Sequence, residues 1–346
     1  MGKLNSLWSR GTDFLGCKYA IMGGAMSWVS ERNLVAALSN AGAFGVIACS
    51  AMTPALLEQE IIETRKLLRQ APSTKHQAPT FGVNLIIMHP QMDELIAVCK
   101  RQNVSHVVLA GGIPKDGWIK AIKAYGAKVL CFAPSAIIGR KLIRLGADAL
   151  VIEGMEAGGH IGPVTTSVLA QEILPHMKDV PVFIAGGIGR GEAIAAYLEM
   201  GASGVQLGTR FVCASESIAH PKFKECFIRS QARDAVPSVQ LDPDFPVIPV
   251  RAIANKATDA FTRCQKEVIE QYRSGALDKK AAQLKIEHFW AGALRKAVID
   301  GDVEYGSVMA GQSVGMVSKI QPVSEILEEL IGQAEEYIAR RKSKTA

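Results

Sequence analysis

Short apolar runs recur along the first 211 residues, each followed by a turn and then by a segment whose apolar positions have helical spacing. Eight of these runs read as strands: Tyr19–Met22, Gly45–Ala48, Phe81–Leu85, His106–Ala110, Lys128–Ala133, Ala149–Glu153, Val180–Ala185 and Gly204–Gly208. Most are continuously apolar rather than alternating, as parallel strands covered on both faces are. The stretches between them, such as Asn33–Asn40 and Gly191–Met200, are amphipathic and close on glycine stop signals at Gly42, Gly126, Gly146 and Gly201. Strand–helix units of about 25 residues, repeated eight times, predict an α/β protein built as a (β/α)8 TIM barrel. Periodicity alone leaves an open doubly wound sheet as the alternative.

After Phe211 the texture changes. Pro237, Pro243, Pro246 and Pro249 crowd residues 234–250 and predict an irregular connection. Helical spacing then runs through Ala252–Ser274 and Lys279–Ile299, which predicts a small helical cap. Val323–Arg340 carries Val323, Ile326, Leu327, Leu330, Ile331, Ala334, Tyr337 and Ile338 on one helical face, so it should pack on the barrel. The expected division is a barrel over 15–211, a cap over 212–320 that contributes to the active site, and a C-terminal helix with a basic tail over 321–346. The tail residues are Arg340, Arg341, Lys342 and Lys344.

Composition narrows the class. With 48% hydrophobic residues in 346 the chain can bury a large core, which sets it against disorder. No run of 18 apolar residues exists, so no membrane-spanning helix is expected. The seven cysteines show no C-x-x-C spacing and several lie inside apolar runs, pointing to buried free thiols and a cytoplasmic compartment. A net charge of +6 without interleaved aromatic platforms does not indicate nucleic-acid binding. The excess is uneven, since residues 220–296 hold 14 Lys and Arg against 9 Asp and Glu. That stretch reads either as a solvated helical surface or as a docking face for an acidic partner.

In a parallel barrel the chemistry lies at the carboxyl ends of the strands. Those positions here are rich in glycine. Ala185-Gly186-Gly187-Ile188 and Gln206-Leu207-Gly208-Thr209 end the seventh and eighth predicted strands, where barrels commonly bind phosphate through backbone amides. His160, beside Gly158-Gly159 after the sixth strand and with Glu153 and Glu156 nearby in sequence, is a candidate acid–base residue. Asn84 closes an apolar strand with an amide able to donate and accept hydrogen bonds, or simply to bond the next loop. No metal constellation, Ser–His–Asp arrangement, Walker motif or dinucleotide fingerprint is supported. Ser307–Gln312 reads as an ordinary loop. The residues alone reach a barrel with a phosphate-bearing ligand and do not choose the cofactor.

Four segments go further: Ala149-Leu-Val-Ile-Glu-Gly-Met-Glu-Ala-Gly-Gly-His-Ile-Gly162, Ile184-Ala-Gly-Gly-Ile188, Val205-Gln-Leu-Gly-Thr-Arg-Phe211 and Ser307-Val-Met-Ala-Gly-Gln312. Together they resemble the nitronate monooxygenase (2-nitropropane dioxygenase) superfamily, and within it the FMN-dependent enoyl-acyl-carrier-protein reductase branch, over residues 15–335. The resemblance implies FMN bound by Gly24, Ala25, Met26, Asn84, Glu153, Gly158, Gly159, Ala185, Gly186, Gly187, Gln206, Leu207, Gly208, Thr209, Met309 and Gln312. His160 becomes the acid–base residue. It also implies NADH or NADPH as co-substrate, an enoyl-thioester substrate carried on an acidic acyl carrier protein, and a monovalent cation for which no ligand set is legible. A homodimer is compatible with the chain. Nitronate monooxygenases usually carry Gln where this chain has Glu153 and Arg where it has Ile161, which favours the reductase branch. Two loops depart from that branch, with Gly23-Gly24-Ala25-Met26 for its Gln-Gly-Gly-Met and Leu109-Ala110-Gly111-Gly112 for its Thr-Gly-Ala-Gly.

Overall fold

The eight predicted strands all form. A computed structural model describes residues 2–69 and 79–343, apart from the side chains of Lys342 and Ser343. Lys344 of the basic tail lies outside the described residues. The strands are β1 (Ile21–Gly23), β2 (Gly45–Ala48), β3 (Phe81–Ile86), β4 (His106–Ala110), β5 (Lys128–Phe132) and β6 (Ala149–Glu153). A two-residue strand, β7 (Gly159–His160), interrupts the series before β8 (Val182–Ala185) and β9 (Gly204–Leu207).

The sheet runs β1-β9-β8-β6-β5-β4-β3-β2, every pairing parallel. Its two edges meet just ahead of β2. Gly23 N–H donates to the Phe44 carbonyl at 2.8 Å and Phe44 N–H to the Ile21 carbonyl at 2.9 Å. These bonds nearly close the barrel and reject the open sheet.

Side chains alternate across each strand, so every second residue enters the barrel. Met22, Phe44, Val46, Val108, Leu130, Ala149, Val151, Phe183 and Ala185 fill the interior. The intervening positions pack outward against the ring of helices in a larger core. At the closed end His106 is buried, its Nε2 3.0 Å from the Phe14 carbonyl, and burial pushes its pKa down to about 4. It is a core histidine. Helices Lys3–Leu7 and Ser9–Leu15 were not foreseen, and the second delivers Leu15 into the barrel floor.

After β9 come helices Thr209–Val212 and Pro221–Arg229, then β10 (Ala235–Pro237), β11 (Val250–Ile253), helices Lys256–Arg273 and Lys279–Val298, β12 (Val308–Met309) and helix Val323–Ser343. The helix predicted from Ala252 begins instead at Lys256. Val250–Ile253 is claimed by a small antiparallel sheet, where β11 pairs with β10, β12 and β7. Asn255 then caps the helix, its side chain accepting from the Ala257 amide. The cap has its own apolar core around Phe245, Phe261, Val268, Ile286 and Trp290. All seven cysteines are free thiols. Among the described residues no helix is long and apolar enough to cross a membrane.

Candidate active site

The inward alternation decides which polar residues share the barrel mouth. On β6, Ala149 and Val151 point inward, so Glu153 does too. On β9, a Cβ at Gly204 would strike the ring of the inward-facing Phe183, which makes Gln206 and Gly208 the next inward positions. On β3, Gly82 faces Phe44, so Asn84 follows inward. Register then aligns them, with Glu153 opposite Ala185, Ala185 opposite Gln206, and Gln206 opposite Met22. Asn84 and Gln206 are both largely buried. Asn84 Nδ2 donates to the Val108 carbonyl at 3.1 Å, and Gln206 has no side-chain partner among the described residues. The Glu153 carboxyl likewise has no partner among them, and burial raises its pKa from 4.5 to about 7. Part of that side chain still reaches solvent, so the desolvation acts on a carboxyl set deep in an open mouth.

Around this floor the loops supply backbone donors. Gly186 and Gly187 adopt φ of +92° and +71°, a left-handed turn that only glycine takes without strain. Among the described residues the Gly187 and Gly208 amides donate to no protein acceptor. They lie on adjacent strand ends, a concave donor pair suited to an anion. Gly24 donates to the Leu207 carbonyl at 2.8 Å. Met26 N–H donates to Ser30 Oγ at 3.0 Å, and that hydroxyl donates to the Gly24 carbonyl at 2.8 Å. The loop holding Gly24, Ala25 and Met26 is thus fixed beside β9.

The segment Ser307–Gln312, read as an ordinary loop on its residues alone, instead closes over the mouth. Gly311 N–H donates to Thr209 Oγ1 at 3.0 Å, and Gln312 N–H to the Glu156 carbonyl at 2.9 Å. Gly158 has no room for a side chain, because a Cβ there would lie 2.6 Å from the Ala310 carbonyl carbon and from the Gly311 nitrogen. Met309 Sδ sits 3.7 Å from where a Cβ of Gly159 would be. The same segment spells Gly311-Gln312-Ser313-Val314-Gly315, the letters of a nucleophile elbow. Ser313, however, is buried in a 3-10 turn and not at a strand-to-helix corner.

His160 lies exposed on β7, and its Nε2 is 3.1 Å from Glu287 Oε2 on helix Lys279–Val298. The sequence-adjacent carboxylates are not its partners. Glu156 is spent on Thr166, accepting from its amide at 2.9 Å and its hydroxyl at 3.0 Å, while Thr166 Oγ1 also donates to the Gly186 carbonyl at 3.0 Å. Glu287 was missed because it lies 127 positions beyond His160 and nothing local marks it. Arg251 was missed for the same reason. Buried in β11, it donates from Nε to the Met155 carbonyl at 2.9 Å and so ties the β6 loop to the cap. One further reading changes: Lys224, counted within the basic stretch, is 6% exposed and belongs to no surface, whereas Lys222 and Arg229 are exposed.

A parallel barrel with free amides at neighbouring strand ends, an inward polar layer and a histidine at the rim is built for a phosphate-bearing ligand. The chain belongs to the nitronate monooxygenase family, whose model matches residues 9–333, and is a flavin-dependent oxidoreductase. The unpartnered Gln206 and Glu153 side chains and the Gly187 and Gly208 amides fit the hydrogen-bonding edges and phosphate of a flavin. It is similar to the solved structure of FabK from Thermotoga maritima, with 34% identity, a TM-score of 0.82, and coverage of 97% of this chain and 98% of that one. A nitroalkane oxidase from Streptomyces ansochromogenes is 25% identical with a TM-score of 0.75, covering 95% and 99%. A (3aS,4S,5R,7aS)-5-hydroxy-7a-methyl-1-oxo-octahydro-1H-indene-4-carboxyl-CoA dehydrogenase from Rhodococcus jostii is 28% identical over 93% of this chain and 94% of its own. A probable nitronate monooxygenase from Staphylococcus saprophyticus is 26% identical over 96% and 99%.

Proposed function

We propose that the protein carries FMN and reduces a trans-2-enoyl thioester at the expense of NADH or NADPH. Gly186, Gly187, Gly208 and Thr209 would hold the phosphate, and Gly24, Ala25, Met26, Asn84, Glu153 and Gln206 the heterocycle. Gly158, Gly159, Ala185, Leu207, Met309 and Gln312 would close around it. Bound there, FMN supplies the two-electron relay between nicotinamide and the β-carbon of the alkene.

The protein's own part is proton delivery and charge control. His160 Nε2 lies 3.1 Å from Glu287 Oε2, an ion pair whenever the ring is protonated, and Nδ1 is the nitrogen left for the substrate. A proton on Nδ1 passes to the α-carbon as the thioester carbonyl gathers enolate charge. Exposure of the ring allows it to be reprotonated from water. The Ser307–Gln312 segment, bonded to Thr209 and Glu156, fixes one wall of the mouth.

The whole-chain likeness to FabK at 34% identity carries this reading. The CoA thioester in the name of the Rhodococcus relative supports it, as do Glu153 and Ile161 in place of the Gln and Arg usual in nitronate monooxygenases. An acidic acyl carrier protein is the proposed thioester carrier, docking on the exposed Lys222 and Arg229. The family model and the nitroalkane oxidase structure favour a second reading, oxidation of alkyl nitronates with O2.

The deciding experiment is anaerobic. Mixing the flavin-loaded protein with NADH or NADPH should bleach the flavin, and crotonyl-CoA should restore its absorbance. His160→Ala should keep the flavin and slow that restoration by about 10² or more. Bleaching reversed only by a quinone would make the protein a quinone reductase. No bleaching by either nucleotide, with reduction by an alkyl nitronate, would overturn the proposal in favour of the monooxygenase.

A further inference from the structure

A cavity of about 400 Å³ opens beside the mouth, a volume within the range of small-molecule sites. Trp28, Met52, Leu56, Ile218 and Ile299 line it, and so does Ala48 at the end of β2. Val46 points into the barrel, so Ala48 does too, opposite Asn84 on β3. The cavity therefore leaves the inward polar layer of the mouth at the end of β2. Its polar groups are already spent on the protein. Glu31 accepts from the Asn33 amide at 3.0 Å, Arg32 Nε donates to Glu60 Oε1 at 3.1 Å, and Ser50 bonds Ser27. Each charged residue lining the cavity thus has a partner, and none is left over for a phosphate. What remains is apolar surface, with Leu56 and Ile218 standing 37% and 46% exposed.

Trp28 carries strain. Its φ is +66°, a left-handed conformation that is an outlier for a bulky residue and persists only where the surroundings enforce it. The turn that enforces it starts at Met26, whose carbonyl accepts from the Val29 and Ser30 amides at 3.0 and 2.8 Å. That turn makes the indole a wall of the cavity. Arg295 lies over the ring, its Cζ 5.8 Å from the centroid. Arg295 follows Glu287 by eight residues on helix Lys279–Val298, about 12 Å along the axis. One cap helix therefore contacts both His160 and Trp28.

We infer that this cavity takes the hydrocarbon chain of the thioester, with Trp28 as its fixed wall, so that the protein prefers acyl chains longer than crotonyl. The inference rests on the thioester reading above and adds where the chain lies. A chain whose α- and β-carbons stay near His160 runs along the cap helix toward Trp28, and its distal methylenes bury apolar surface that a four-carbon chain does not reach.

The test is calorimetric binding of saturated acyl-CoA esters to the flavin-loaded protein, which needs no turnover. Octanoyl-CoA should bind about tenfold tighter than butyryl-CoA or better, since each buried methylene contributes about fourfold. Leu56→Glu, on helix Pro54–Leu67, and Ile218→Glu, on the turn before helix Pro221–Arg229, each put a carboxylate beside the chain at a partly exposed position. Either should cut the ratio to about threefold or less, with flavin content reporting that the variant is folded. A ratio near one in the wild type, or a wild-type ratio that survives both substitutions, would overturn the inference. If neither variant folds, photolabelling of the wild type by an octanoyl-CoA with a terminal diazirine decides: adducts on Trp28, Met52 or Leu56 uphold the site, and adducts confined elsewhere refute it. Failure of the reductase reading shows separately, as reduced flavin that neither crotonyl-CoA nor trans-2-octenoyl-CoA reoxidises.

Discussion

Glu153 makes the inward polar layer of the mouth measurable. In the folded chain its carboxyl titrates near 7, raised from 4.5 by desolvation with no offsetting partner among the described residues. The sign follows from proton binding: between pH 4.5 and 7 the folded state keeps a proton that the unfolded chain has lost. Stability of the flavin-free protein therefore falls as pH rises through that window, then levels off above it. At 1.36 kcal/mol per pH unit the loss approaches about 3 kcal/mol, an upper value because the side chain is partly open to solvent. Glu153→Gln keeps the size and removes the charge. Urea unfolding of the flavin-free proteins should show the variant more stable by about 2–3 kcal/mol at pH 8, with the advantage shrinking below about 1 kcal/mol near pH 5. The same substitution installs the residue usual in nitronate monooxygenases, so its flavin can be assayed with alkyl nitronate alongside. A stability difference independent of pH, or a variant less stable at pH 8, would refute the placement of Glu153 inside the mouth.

Two other perturbations follow from the site. Gly158→Ala must push apart two backbones now separated by the width of a missing side chain, because its Cβ would sit 2.6 Å from Ala310 and Gly311 atoms. Overpacking of that kind should cost about 1–3 kcal/mol and weaken flavin retention, read by thermal melting and by flavin release on dialysis; a variant matching the wild type in both would contradict the close approach. Reversing the charge of the exposed Lys222 and Arg229 should raise KM for a carrier-protein thioester by about tenfold at low salt and leave KM for the CoA thioester unchanged, and equal effects on both substrates would remove the docking face.

Much of this molecule is written locally in the chain. The eight β-strands announce themselves because burial on both faces demands uninterrupted apolar runs. Gly45–Ala48, His106–Ala110 and Ala149–Glu153 fall within the same residues in sequence and structure. The glycine turn at Gly186-Gly187 is equally local, since a left-handed backbone excludes other residues. What periodicity could not supply was closure, which rests on two hydrogen bonds between β1 and Phe44. Nor could it place groups whose roles depend on distant chain. Val250–Ile253 reads as the start of a helix until β7, β10 and β12 offer it hydrogen bonds. Glu287 acquires a role only when the cap folds back over His160. Lys224 looks like one more surface charge until the turn at Ala214–Ser217 wraps carbonyls around it. Short-range sterics and burial period are encoded residue by residue. Electrostatic partnerships across a hundred residues are decided only when tertiary packing brings the groups within hydrogen-bonding distance.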